Sequence, residues 1–148
     1  MTESVEGHYG NEGIVERIVQ ALVDAGFDRE NLDPDVLAGA DEFHIGGREG
    51  TLNVASVLNL APGQQLLDVG CGIGGTARFL ARSTGASVTG VDLTPEFVEA
   101  AVELTNLVGM SDLVDFKVGS ATDLPFMDDS FDAVTMLHVG MNVEDKDQ

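Results

Sequence analysis

The chain has 148 residues, with 26 acidic against 7 basic side chains and a formal net charge of -19. An acid excess on that scale repels nucleic-acid phosphates and anionic bilayers, so neither is an expected partner. At 43% apolar residues the composition supports a buried core, and no apolar run approaches the roughly 20 residues that a membrane-spanning helix needs. Met1-Thr2-Glu3-Ser4-Val5-Glu6 lacks the basic and apolar regions of a signal peptide, which leads to the expectation of a cytoplasmic protein. The lone cysteine, Cys71, offers no disulfide framework and reads as a small residue in a crowded turn. The acid excess also favours work at high salt, where screening cuts repulsion to a range of about 3 Å at 1 M.

The first sixty residues read as a helical lid or cap segment, residues 1–60. Asn11 opens a helix with Ile14, Val15, Ile18, Val19 and Leu22 on one face, stopped near Gly26. Asp33-Pro34 starts a second, shorter helix through Val36 and Leu37. A third runs from about Arg48 to Leu58, with Leu52, Ala55, Val57 and Leu58 expected inward. The loop between them, Asp41-Glu42-Phe43-His44-Ile45-Gly46-Gly47-Arg48, has the aromatic, imidazole and glycine content of a lid over a ligand, or equally of a capped turn.

Residues 61–148 read as strands alternating with helices. Leu66-Leu67-Asp68-Val69 is a buried strand that ends in the glycine turn Gly70-Cys71-Gly72-Ile73-Gly74-Gly75, and a helix follows from Gly75 to Thr84. Ser87 to Asp92 is a second strand, and Thr94-Pro95-Glu96 starts a helix as cap, proline and first-turn acid. That helix carries Val98, Ala101, Val102, Leu104 and Thr105 and closes at Gly109. Val114 to Val118 makes a third strand and Phe131 to Val139 a fourth, with a turn at Asp128-Asp129-Ser130. The alternation implies an α/β, Rossmann-like, doubly wound parallel sheet in the order 3-2-1-4.

Gly70-x-Gly72-x-x-Gly75 is compatible with a dinucleotide, but Asp68 at the mouth of the strand would repel a pyrophosphate. S-adenosylmethionine carries an ammonium and a sulfonium and no phosphate, so there an acid is an asset. Asp92 at the second strand end can accept ribose hydroxyls, Leu93 can pack on adenine, and Ser120-Ala121 can meet its polar edge. The competing reading of both acids is helix capping, worth about 0.5 to 2 kcal/mol.

Leu67 to Gly75, Val91-Asp92-Leu93-Thr94, Asp123-Leu124-Pro125-Phe126 and Ser130-Phe131-Asp132 together resemble the successive motifs of class I S-adenosylmethionine-dependent methyltransferases. The Phe43 to Arg48 loop and the stretch from His138 to Lys146 resemble more narrowly the sarcosine/dimethylglycine N-methyltransferases and the quinone C-methyltransferases. By this resemblance Asp68, Gly70, Gly72 and Gly74 hold the methionine end of the cofactor, Asp92 the ribose, and Leu93 and Ala121 the adenine. Ser120 stands where the family usually has an acid. Tyr9 joins the cofactor side, and Phe43, His44, Arg48, Met141 and Asn142 the substrate or lid side. His138 is the candidate base, as an imidazole titrating near pH 6.5 at a strand end. The expected reaction is methyl transfer to a small-molecule amine, with a quinone precursor or a non-catalytic binding role as alternatives. No metal is called for. Compared with that family the chain stops just after the fourth strand, so a C-terminal half is expected to be missing. The fourth strand is then an open edge, available for self-association or a partner.

Overall fold

The computed structural model describes residues 11–41 and 47–137. Three helices come first: α1 (Asn11–Asp24), α2 (Pro34–Asp41) and α3 (Gly47–Leu58). In α1 the apolar residues recur at steps of three and four, which buries Val15 and Val19 and packs Ile14, Ile18 and Leu22 beside them. Asp33 precedes Pro34 at the start of α2, its Oδ1 accepting from the Asp35 amide at 2.8 Å and from Arg82 Nη1 at 2.9 Å. The face of α3 differs from expectation. Thr51 is buried and Val54, Ala55 and Leu58 are half-buried, whereas Leu52 and Val57 are 51% and 83% exposed. At 3.6 residues per turn, positions 51, 54, 55 and 58 share an arc of about 100°, and positions 52 and 57 fall outside it. Helical phase, rather than side-chain polarity, decides which residues turn in.

The remaining elements are β1 (Gln65–Val69), α4 (Gly75–Thr84), β2 (Ser87–Asp92), α5 (Pro95–Leu107), β3 (Val114–Val118) and β4 (Ala133–Thr135). The strands form one parallel sheet in the order β3-β2-β1-β4, the 3-2-1-4 order expected. Right-handed crossovers in one direction across the sheet put α4 and α5 on the same face. Arg78 of α4 joins them, donating from Nη1 to Thr105 Oγ1 at 3.0 Å and to Ala101 O at 3.4 Å. Alternation along β1 sends Leu66 into the core beneath α4, with Ala77, Leu80, Val88 and Val114. Leu67 and Val69 join Val91 in a separate cluster, packed against Ala121, Phe126 and Phe131. A third cluster unites Val15, Val19, Leu32 and Leu37 with Ile73, Ala100 and Leu104, so the N-terminal helices brace both the glycine turn and α5.

Two further expectations change. The fourth strand is shorter than Phe131 to Val139: at Asp132 the amide donates to Gln65 O, but the Gln65 amide is taken by the Asp132 side-chain Oδ2 rather than by a main-chain carbonyl, each at 2.8 Å. The ladder therefore starts at Ala133, and it ends at Thr135, opposite Asp68, because β1 stops one residue later. Thr94 precedes α5 but makes no side-chain cap bond; its own amide donates instead to Asp92 Oδ1 at 2.9 Å.

Candidate functional site

The carboxyl ends of β1 and β2 converge on the glycine turn. The Gly70 and Cys71 amides both donate to Val91 O, at 2.7 and 3.0 Å, which folds the turn over the end of β2. The Gly72 amide donates to Asp92 Oδ2 at 2.9 Å. With Oδ1 on Thr94, Asp92 thus braces two loops at once, a role the sequence does not disclose. A carboxylate has about four lone-pair sites, so acceptor capacity remains on both oxygens.

Asp68 is different. It is 2% exposed, two residues before Gly70, and Thr135 Oγ1 donates to its Oδ1 at 2.8 Å. Burial raises its pKa to about 7; the Thr135 hydrogen bond opposes that shift, and the nearby negative charge of Asp92 adds to it. Among the described residues no Lys or Arg pairs with Asp68 or Asp92. Cys71 is a buried free thiol whose pKa is pushed up by burial and by both carboxylates, so it stays protonated and unreactive at neutral pH.

The glycines divide by what lies behind them. A Cβ placed on Gly72 meets no atom within 4 Å, leaving that side of the turn open. At Gly74, φ +89°, a Cβ would lie 2.6 Å from Phe116 Cζ and 2.8 Å from Arg78 Nη1. At Gly90, opposite Asp68 on β2, it would lie 2.6 Å from Phe116 Cδ1. Gly74 is therefore constrained from within the protein.

Leu93 is 71% exposed just past β2, available to a flat apolar group. Ser120 and Ala121 follow β3, whose exit is tied to β2 by the Gly119 amide on Asp92 O at 3.0 Å. Ser120 Oγ lies 2.9 Å from Thr122 Oγ1 and accepts from the Thr122 amide at 3.2 Å; Ala121 packs on the Leu67, Val69 and Val91 cluster. The structure thus brings Asp68, Gly70, Gly72, Gly74 and Asp92 together. Tyr9, Phe43, His44, His138, Met141 and Asn142 lie outside the described residues, as does the Arg48 side chain. Sequence reading missed Thr135, Phe116 and Arg78. The one available signal was a hydroxyl inside the apolar run Ala133-Val134-Thr135-Met136-Leu137, since register across strands is not written in a single sequence.

A methyltransferase domain family model matches residues 67–148. The chain is 34% identical over 140 residues to 2-methyl-6-phytyl-1,4-hydroquinone methyltransferase from Synechocystis sp., covering 95% of this chain and 36% of that protein. It is 37% identical over 101 residues to phosphoethanolamine N-methyltransferase 1 from Arabidopsis thaliana, covering 68% and 20%. Among solved structures, phosphoethanolamine N-methyltransferase 2 from Haemonchus contortus in complex with S-adenosyl-L-methionine superposes with a TM-score of 0.62 at 27% identity, covering 86% of this chain and 26% of that one. The chain belongs to the class I S-adenosylmethionine-dependent methyltransferase family. It spans between 20% and 39% of the length of the curated relatives it matches. No described helix is long and apolar enough to cross a membrane.

Proposed function

We propose that the chain binds S-adenosylmethionine at the ends of β1 and β2 and forms the cofactor half of a methyl transfer to a small-molecule amine such as sarcosine or dimethylglycine. One observation carries the reading: two carboxylates stand at neighbouring strand ends beside an open glycine turn, and no Lys or Arg among the described residues forms an ion pair with either. A ligand with an ammonium group supplies the missing charge, whereas a pyrophosphate would add to the excess. When bound, S-adenosylmethionine supplies an activated methyl group. The chain's residues bind and orient: Asp68 and the Gly70 to Gly74 turn take the methionine end, Asp92 the ribose, and Leu93, Ser120 and Ala121 the adenine side. Orientation of the reactants can account for much of such a rate. A single buried cysteine suits a reducing, cytoplasmic setting.

A quinone precursor is the second acceptor reading, favoured by the 95% coverage of this chain by the Synechocystis hydroquinone enzyme. The amine reading draws on the N-methyltransferase relatives and on the resemblance of the Phe43 to Arg48 and His138 to Lys146 stretches. Calorimetric titration of the chain with S-adenosylhomocysteine and with NAD tests the cofactor. Binding of the former alone is expected, and binding of NAD alone would overturn the reading. Methyl incorporation into sarcosine, dimethylglycine and a hydroquinone then separates the acceptors.

A further inference from the structure

Asp68 sits between two strand partners in register, Gly90 on β2 and Thr135 on β4. Gly90 brings no side chain, and the space above it is taken by Phe116 and Cys71. Among the described residues Thr135, 5% exposed, is therefore the polar side chain beside the carboxylate, and its hydroxyl donates to Oδ1 at 2.8 Å. No donor among the described residues is bonded to Oδ2, so a carboxylate that is only 2% exposed keeps one oxygen without a hydrogen bond.

We propose that Thr135 is a positioning residue for cofactor capture: its hydroxyl fixes Oδ1 of Asp68 and so leaves Oδ2 as the oxygen that meets the ligand's ammonium group. The proposal rests on the cofactor reading of this site. An oxygen held by a donor cannot rotate into the ligand's place, and a hydrogen bond to a carboxylate favours its charged form. Among the described residues the charged and titratable groups around Asp68 are Asp92 at the end of β2, Cys71 in the turn, and Arg78 of α4, which lies near Cys71 and is bonded to α5. Asp92 opposes ionisation of Asp68, and the neutral thiol does not aid it. Among the described residues Thr135 is the neighbour that favours the charged form, and binding of a cation should then release the proton that Asp68 retains near neutral pH.

Two measurements on the 148-residue chain test this. In the ligand-free protein, carbon-detected NMR titration of the Asp68 carboxyl is expected to show a midpoint about one pH unit higher in Thr135→Val than in wild type, with Thr135→Ser close to wild type. In calorimetry, S-adenosylhomocysteine should bind about tenfold more weakly to Thr135→Val at pH 7. The deficit should shrink toward pH 9, Thr135→Ser should restore binding, and Asp68→Asn should bind weakly at every pH with no further loss on adding Thr135→Val. Should Thr135→Val lose the folded amide spectrum, Thr135→Ala carries the same comparison. An unchanged carboxyl midpoint, or a loss of affinity equal at all pH values, would overturn the positioning role while leaving the cofactor reading intact. Failure of wild type to bind S-adenosylhomocysteine would overturn both.

Discussion

Asp68 and Asp92 occupy matching places, each at or next to the end of a parallel strand, yet their surroundings differ. Asp92 is half-exposed and each of its oxygens accepts a backbone amide, from Gly72 and from Thr94. Asp68 is buried with one hydroxyl donor and an ionisation shifted up to about 7. The Asp92 carboxylate holds loops in place without a ligand. That of Asp68 is held in an unfavourable state that a cation would relieve. The same residue type at neighbouring strand ends thus divides into one that braces loops and one that we propose captures the ligand.

The largest expected effect comes from Asp68→Asn, which keeps the shape and removes the charge. S-adenosylhomocysteine affinity should fall on the order of 100-fold, the scale of a lost buried charge pair, by calorimetry at pH 8. Stability should move the other way. A carboxyl whose folded pKa is raised above its ordinary 3.8 stabilises the fold fully below that value, and this contribution is lost as pH rises toward 7, on the order of 4 kcal/mol over the window. Urea unfolding should therefore find the variant more stable than wild type by roughly 1–3 kcal/mol at pH 8 and closer to it at pH 4, after the new amide's unmet donors are counted. A variant less stable at both pH values would end the contrast between the two acids.

Asp92→Asn should act on the loops first. The amide side chain offers one acceptor oxygen where the carboxylate offers two, so either Gly72 or Thr94 loses its partner, costing about 1–3 kcal/mol. Hydrogen exchange at those two amides should quicken in the ligand-free chain, and unchanged protection at both would remove the bracing role. The smallest effect, spread over the whole surface, is that of salt. With a net charge of -19, thermal unfolding should shift upward between low and molar salt. Asp68, being buried, should keep its midpoint near 7 throughout, which separates the local shift from the global field.

Much of the frame was legible because it depends on local pattern. The apolar run before Gly70, the β-rich run Ser87 to Asp92 and the Thr94-Pro95 start are each short-range signals, and α4, β2 and β3 occupy the expected residues. Leu52 and Val57 depart from expectation because their angle on α3, not their apolar character, decides that they face outward. The fourth strand was overextended because Met136 and Leu137 suit a strand, while its length is limited by where β1 ends. At the site, the acids and glycines stood out by type and spacing. Thr135 and Phe116 did not, since they come from strands 67 and 42 residues later in the chain than Asp68 and Gly74 (135 − 68 and 116 − 74), brought in by long-range strand pairing with Asp68 and with Gly90.

Phe116 has a consequence for how such a chain can change over generations. Its ring fills the notch left by Gly74 and Gly90, which come from the turn and from β2. Adding a methyl group at either glycine collides with the ring, and shrinking the ring opens a void under both. The three positions behave as one volume shared by distant parts of the chain. Descendants can alter it by exchanging bulk between Gly90 and Phe116 together, whereas Gly74 is held back as well by its left-handed backbone, so variation here should arise in pairs and spare the turn.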